Sequence, residues 1–193
     1  MQSKQHLKAF VVSFLKTSLS PFYYYHNYEH SLYVMEKAAE IGLQENCTAE
    51  EMELLKAAAL WHDAGYVKSY ANHEAEGCVL AWKYLPGFGF GIEEITTICG
   101  MIMATKIPQS PTNKLEAIIA DADLEYLGTK EAAGKADLFF KELQHLNPSL
   151  TEAEWNKTQI AFLQQHHYFT AYCKKNKEPL KNDYLKSLLN YQP

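Results

Sequence analysis

Apolar residues recur at helical spacing from one end of this 193-residue chain to the other. In the first segment, one face is formed by residues at positions i, i+3, i+4 and i+7, namely Leu7, Phe10, Val11 and Phe14. No stretch shows the sustained alternation of apolar and polar residues that is typical of a half-buried strand. The sequence therefore predicts an all-α fold.

Capping residues and glycines mark where the predicted helices begin and end. Asn27 precedes the second helix and Gly42 ends it, while Thr48 and Glu51 form a capping box at the start of the third. We expect a single helical bundle of eight or nine helices, near residues 3–19, 27–41, 48–62, 72–86, 92–104, 113–128, 130–146, 152–175 and 179–190.

Composition excludes several classes of function. The net charge of -5 argues against a surface that coats nucleic acid. The four cysteines lie far apart without CxxC spacing, which argues against a thiolate metal site or a disulfide framework and fits a reducing compartment. No apolar stretch is long enough to span a membrane. We therefore expect a cytoplasmic protein that acts on a small molecule.

Four of the eight histidines lie between positions 26 and 73. His62 and Asp63 end the apolar helical run LLKAAALWHDAGY, where Gly65 is expected to terminate the helix. Near a helix end, an adjacent imidazole and carboxylate can reach one point. With His30 upstream and a carboxylate downstream, they would form a site for one or two divalent ions.

The downstream carboxylate is either Asp121 or Asp123 in IIADADLEYLG. Two residues apart in a helix, these side chains point in different directions, so at most one is expected to be a ligand. Taken one at a time, each motif also fits a hydrogen-bonded core histidine or a solvated helix face. The residues alone leave both interpretations open.

The ordered motifs resemble the HD superfamily of metal-dependent phosphohydrolases, and within it a small bacterial group of predicted enzymes. The similar elements are YHNYEH, WHDAGY, NHEAEGC, IMAT and DADLEYLG, over about 22–128, and HHYFT at 166–170 resembles the C-terminal segment of that group. The resemblance implies one HD-type domain over 1–193, with a metal-site core at 22–128 and C-terminal helices at 130–190 packed on it. The ligands implied, in the order H…HD…D, are His30, His62, Asp63 and Asp123. Asp121 would then lie outside the ligand set and hydrogen-bond to a ligand, for example to orient a histidine.

The YHNYEH element is also similar to the opening signature of class I cyclic-nucleotide phosphodiesterases. That resemblance implies that His26 is the general acid and His30 a metal ligand. This chain has HDAGY where those enzymes have HDVDH, so the likeness extends to phosphate-ester hydrolysis and not to cyclic-nucleotide specificity. His73 and Glu74 fall where some HD enzymes place further ligands or a water-activating acid.

The function implied is hydrolysis of a phosphate ester, a nucleotide or a related phosphomonoester or diester, by water activated at one or two Mn, Fe, Co, Ni, Zn or Mg ions. His26, Asp63 and Glu74 would be the catalytic residues. The alternative is a ligand-binding or signalling module that keeps the pocket with little turnover, although all four ligand positions are filled. Oxygen chemistry at a di-iron site would need further histidines, for which only His73 is at hand.

Overall fold

Ten α-helices make up the fold in this computed structural model, which describes residues 3–190; within that range the chain forms no strand. The helices are α1 (Leu7–Ser18), α2 (Tyr28–Gln44), α3 (Ala49–Trp61), α4 (His73–Tyr84), α5 (Ile92–Ala104), α6 (Lys114–Asp123), α7 (Ala132–Leu146), α8 (Glu152–Gln165), α9 (Ala171–Asn176) and α10 (Glu178–Asn190). Short 3-10 turns lie at Lys4–His6, Ala64–Val67, Leu85–Phe88 and Glu125–Gly128. No helix in the described range combines the length and the apolar character needed to cross a bilayer. The all-α prediction is confirmed.

The predicted caps lie where the helices begin. The Asn27 side chain accepts hydrogen bonds from the backbone N–H groups of Glu29 and His30 at the start of α2. Thr48 and Glu51 form the predicted capping box of α3. Because such caps satisfy N–H groups that have no partner inside the helix, they fix where each helix starts.

Gly42 does not end α2, which continues to Gln44, and two further predicted boundaries are wrong. The segment expected as one helix over 152–175 is broken, because α8 ends at Gln165 and α9 begins only at Ala171. The helix expected over 113–128 ends at Asp123 and continues as the 3-10 turn Glu125–Gly128. Both departures lie beside the candidate site described below.

The main hydrophobic core lies among the first six helices. Helix α2 packs against α3 and α6, and α5 packs against α3, α4 and α6. The side chains of Trp61, Ile98 and Ile118 are completely buried in this core. Since each such burial stabilises the fold by about 1.5–3 kcal/mol, the core holds the start of α2 and the ends of α3 and α6 in fixed positions.

A second, smaller hydrophobic cluster joins the C-terminal helices to the turn after α6. Its buried members are Tyr25, Leu124, Tyr126, Leu127 and Leu163. Helix α10 contacts this turn as well as α8 and α9, and α7 also contacts the turn. The space between the two clusters contains the candidate site.

Candidate metal centre

Three of the predicted ligands converge at one point. His30 lies in the first turn of α2, His62 directly follows α3, and Asp123 is the last residue of α6. Their ligand atoms all lie within 4.8 Å of one another. Asp123 Oδ1 lies 3.0 Å from His30 Nε2 and 3.4 Å from His62 Nε2. Two imidazoles and a carboxylate in this arrangement could hold a divalent metal ion.

Asp63 brings a second carboxylate to the same point. Its Oδ2 atom lies 3.1 Å from His62 Nε2 and 3.4 Å from His30 Nε2. Adjacent residues can share a target here because α3 ends at Trp61 and the chain tightens into the 3-10 turn that starts at Ala64. The structure thus brings together all four residues of the H…HD…D set.

The hydrogen bonding of these side chains suits a cation. His62 Nδ1 lies 2.8 Å from the Ala59 carbonyl oxygen and donates its proton there, so Nε2 is the ring atom that faces the carboxylates. Burial lowers the pKa of His62, but Asp63 and Asp123 outweigh burial and raise it, so an ion bound there would replace a proton on Nε2. Within residues 3–190, buried His62 Nε2 and Asp63 Oδ2 have no hydrogen-bond partner. Buried polar atoms without partners are costly, and a metal ion would satisfy both.

The carboxylates are held in the charged form that metal binding needs. Burial opposes ionisation, but the neighbouring His62 holds the pKa of Asp63 well below its usual range. Burial is likewise outweighed at Asp123, where the hydrogen bond to His30 and the nearby His62 ring lower the pKa. Both groups therefore stay anionic at neutral pH, as ligands of a divalent ion do.

His73 lies near both the other oxygen of Asp63 and the carboxylate of Glu74. His73 Nε2 lies 3.7 Å from Asp63 Oδ1 and 3.4 Å from Glu74 Oε1, at the start of α4. Glu74 is buried. The two oxygens of Asp63 thus face different groups, which is the geometry that a second ion or a bound water would use.

Gly65 allows α4 to come this close. A Cβ atom at position 65 would lie 1.8 Å from the His73 carbonyl oxygen and 2.6 Å from the Gly77 nitrogen. Both neighbours are backbone atoms, so no side-chain movement could relieve the clash. Gly65 is therefore needed for the packing of the turn after Asp63 against α4, in addition to following the end of α3.

His26 lies beside the ligands and is held by Glu142 of α7. The His26 Nδ1 atom lies 2.5 Å from Glu142 Oε1, and Glu142 Oε2 accepts the backbone N–H groups of Tyr25 and His26. The His26 ring centroid lies 6.0 Å from that of His30. Glu142 is almost completely buried. Sequence reasoning missed it because KELQHL reads as an ordinary solvated helix.

The Glu142 carboxylate also changes the proton affinity of His26. Burial lowers the pKa of His26, but the hydrogen bond to Glu142 and the nearby charge of Asp63 outweigh burial and raise it. The imidazolium form therefore persists to higher pH than in a free histidine, as a proton donor requires.

Asp121 has a different role from the one expected. Its carboxylate accepts hydrogen bonds from the backbone N–H of Phe169 at 2.8 Å, from the backbone N–H of Thr170 at 2.8 Å and from the Thr170 hydroxyl at 2.6 Å. The prediction that Asp121 orients a histidine is therefore wrong. Asp121 instead fixes the extended segment 166–170 that separates α8 from α9.

A cavity of about 310 Å³ opens from the candidate metal centre. One end is lined by Asp63, Asp123 and His26, with His73 and Glu74 beside them. The other end reaches into the second hydrophobic cluster, between α7, α8 and α10. A small molecule could therefore place one part at the ligands and another against apolar side chains.

Comparison with known proteins agrees with this geometry. A model of the HD domain family matches residues 27–125, just over half of the chain. The matched range includes all four converging residues and excludes Glu142. No curated protein matches the chain.

Solved structures with a similar fold come from three bacteria. Bacillus subtilis YpgQ in complex with ADP is 18% identical over 98% of this chain and 95% of its own, with a TM-score of 0.68. A predicted HD superfamily hydrolase from an uncultured Thermotogales bacterium is 21% identical over 95% and 90%, with a TM-score of 0.64. The Lin1889 protein from Listeria innocua is 18% identical over 98% and 97%, also with a TM-score of 0.64. At these identities the likeness concerns the fold.

Proposed function

Because the chain belongs to the HD domain family, we propose that it hydrolyses a phosphate ester, a nucleotide or a related compound, at a divalent metal ion. The observation that carries the proposal is the convergence of His30, His62, Asp63 and Asp123, with buried ligand atoms that have no other partner in residues 3–190. The structure of YpgQ with ADP supports a nucleotide as the ligand.

The four residues would hold the ion between the ends of three helices. His62 is oriented by the Ala59 carbonyl group, and Asp63 and Asp123 supply the negative charge. When bound, a divalent ion stabilises charge on phosphate oxygens and lowers the pKa of its water from about 15.7 toward about 7. Imidazole and carboxylate ligands suit Mn, Fe, Co, Ni, Zn and Mg, so the ligand set does not choose among them.

Proton transfers would be carried by residues around the ligands. His26 would donate a proton from Nε2 to the leaving oxygen, because its Nδ1 is engaged by Glu142. Glu74 and the second oxygen of Asp63 lie together at His73, where they would accept a proton from the attacking water. The acid and the base would thus be different residues, with the His26 and His73 rings 6.4 Å apart between their centroids.

Substitution of Asp63 by alanine tests the proposal. We expect metal-dependent phosphate release to fall by more than the roughly 10–100-fold typical of outer metal-site partners, because a charged ligand is lost. Activity would be screened with nucleoside mono-, di-, tri- and cyclic phosphates and several divalent ions, with circular dichroism as a check on folding. Asp183→Ala, which removes an exposed carboxylate paired with Lys186, is the matched control.

Three results are distinguished by this screen. Turnover by wild type and Asp183→Ala, but not by Asp63→Ala, supports the hydrolase. Undiminished turnover in Asp63→Ala would contradict the ligand assignment. A wild-type protein that binds metal and nucleotide but releases no phosphate would instead be the ligand-binding or signalling module.

A further inference from the structure

The end of the cavity that lies away from the metal ligands is strongly apolar and aromatic. Its walls come from α7, α8 and α10, and its lining includes Phe139, Trp155, Phe162, Leu163 and Tyr184. Phe139 meets Trp155 edge to face, with ring centroids 5.4 Å apart. A flat ring system is the chemical group that gains most from burial among aromatic side chains.

No part of this lining carries a lysine, within the range 3–190 that the structure describes. The chain also contains no arginine, since all 18 of its basic residues are lysines. Three carboxylates, those of Asp63, Glu74 and Asp123, face the cavity instead. The cavity therefore lacks the side chains that neutralise a chain of phosphates.

Trp155 offers one unused hydrogen-bond donor in this apolar region. Its side chain is 7% exposed, and its Nε1 atom is buried without a hydrogen-bond partner in the described part of the chain. Nearby Gln159 is already engaged, because its Oε1 accepts from the Tyr184 hydroxyl at 2.9 Å. A ligand ring with an acceptor atom would satisfy the indole N–H.

Resting on the proposed phosphohydrolase function, we propose that the substrate is a phosphomonoester with a single phosphate on a compound that carries a flat aromatic ring with a hydrogen-bond acceptor. The phosphate would lie at the metal ligands and the ring would lie against Phe139, Trp155 and Phe162, which line the cavity. A second or third phosphate would add buried negative charge beside three carboxylates, with no lysine or arginine in the described lining to offset it, and His26 would already serve the leaving oxygen. The volume of about 310 Å³ is also at the small end of ligand pockets, which span roughly 300–1,000 Å³.

Substrate comparison tests the single phosphate and the ring separately. The kcat/KM would be measured with adenosine 5′-monophosphate, the corresponding di- and triphosphates, 2-naphthyl phosphate and glycerol phosphate. We expect both aromatic monophosphates to exceed the triphosphate and glycerol phosphate by at least tenfold. Adenosine monophosphate and naphthyl phosphate distinguish a nucleotide from a simple aryl ester, because only the nucleotide base has acceptor atoms.

Trp155→Phe keeps an aromatic ring and removes the donor. Loss of one hydrogen bond should lower kcat/KM for adenosine monophosphate by about 2- to 12-fold, mainly through KM, and leave naphthyl phosphate unchanged. Trp82→Phe is the control, because Trp82 is 42% exposed on α4 and does not line the cavity. Calorimetric titration with adenosine, in the presence of a chelator, reports on the ring end without any chemistry.

The two proposals fail in different ways. If no ester is hydrolysed, the proposed function is wrong. In that case the ring site is still supported if adenosine binding is weakened in Trp155→Phe but not in Trp82→Phe. If the triphosphate is hydrolysed as efficiently as the monophosphate, or if the two tryptophan variants behave alike, the substrate inference is wrong while the hydrolase remains.

Discussion

The His26 side chain depends on a carboxylate that lies 116 residues away in the sequence. Glu142 fixes the orientation of His26 through both its Nδ1 atom and its backbone N–H, and it raises the pKa of the imidazole against the effect of burial. In its proposed role as general acid, His26 would work only while protonated. Activity should therefore fall on the alkaline side, as pH rises through this raised pKa.

Glu142→Gln keeps the size of the side chain and removes its charge. The pKa of His26 should fall, so that less imidazolium is present at a given pH, and the alkaline limb of the kcat profile should move down by about one pH unit. The pH dependence of kcat checks this, with exposed Glu152→Gln on α8 as the control. An alkaline limb at the same pH in both variants would show that Glu142 does not tune the acid.

The four residues proposed as ligands could be chosen from the sequence more readily than the residues that support them. His30, His62, Asp63 and Asp123 sit in local motifs whose order resembles a known family, so the amino-acid sequence alone was enough to choose them. Glu142 and Trp155 lie beyond the resembling range of about 22–128. Glu142 reaches His26, and Trp155 reaches the cavity, only through the tertiary packing of α7 and α8, which no local pattern encodes.

The break between α8 and α9 is caused by tertiary hydrogen bonds. The segment HHYFT at 166–170 contains no proline or glycine, so local propensity gives no reason for a helix to stop. Instead, Asp121 accepts hydrogen bonds from backbone N–H groups of this segment, and the buried Lys181 ammonium donates to the His166 carbonyl oxygen. This is why helical periodicity located the other helices well but predicted one continuous helix here.

Asp121→Asn tests how much this attachment contributes. An amide has a single acceptor oxygen, so at least one of the buried donors at Phe169 and Thr170 loses its partner. We expect the free energy of unfolding to fall by about 2–4 kcal/mol, since hydrogen bonds to a charged group are worth roughly 1.5–3 kcal/mol each. Urea denaturation measures the change. Asp137→Asn, at an exposed position on α7, should stay within about 0.5 kcal/mol of wild type, and an equal loss in both would contradict the assignment.

The whole molecule should be stabilised by the proposed metal ion. The ligands come from α2, from α6 and from the residues that follow α3, so an ion bound to them links elements that unfolding separates. At a metal concentration of about 100 Kd, binding adds about 2.7 kcal/mol, which for a chain of this length raises Tm by roughly 5–10 °C.

Thermal scans with Mn²⁺ and with a chelator measure this shift. Asp123→Asn removes a carboxylate that lies within 3.4 Å of both histidines, so the metal-dependent rise in Tm should largely disappear in this variant. Lys186→Ala, which removes an exposed ammonium, should retain it. A full shift in Asp123→Asn would mean that the ion binds elsewhere.

Because Gly65 has no Cβ atom, Asp63 can lie close to His73 and Glu74. Any other residue there would bring a Cβ to 1.8 Å from the His73 carbonyl oxygen, whereas real Cβ contacts essentially never fall under 3.0 Å. The backbones at residue 65 and at His73 would have to move apart by about 1.2 Å. Asp63 would then lie farther from His73 and Glu74, although all three side chains would still be present. The residue at position 65 thus controls the distance between these side chains, and a substitution there would put them out of reach of one another without removing any of them.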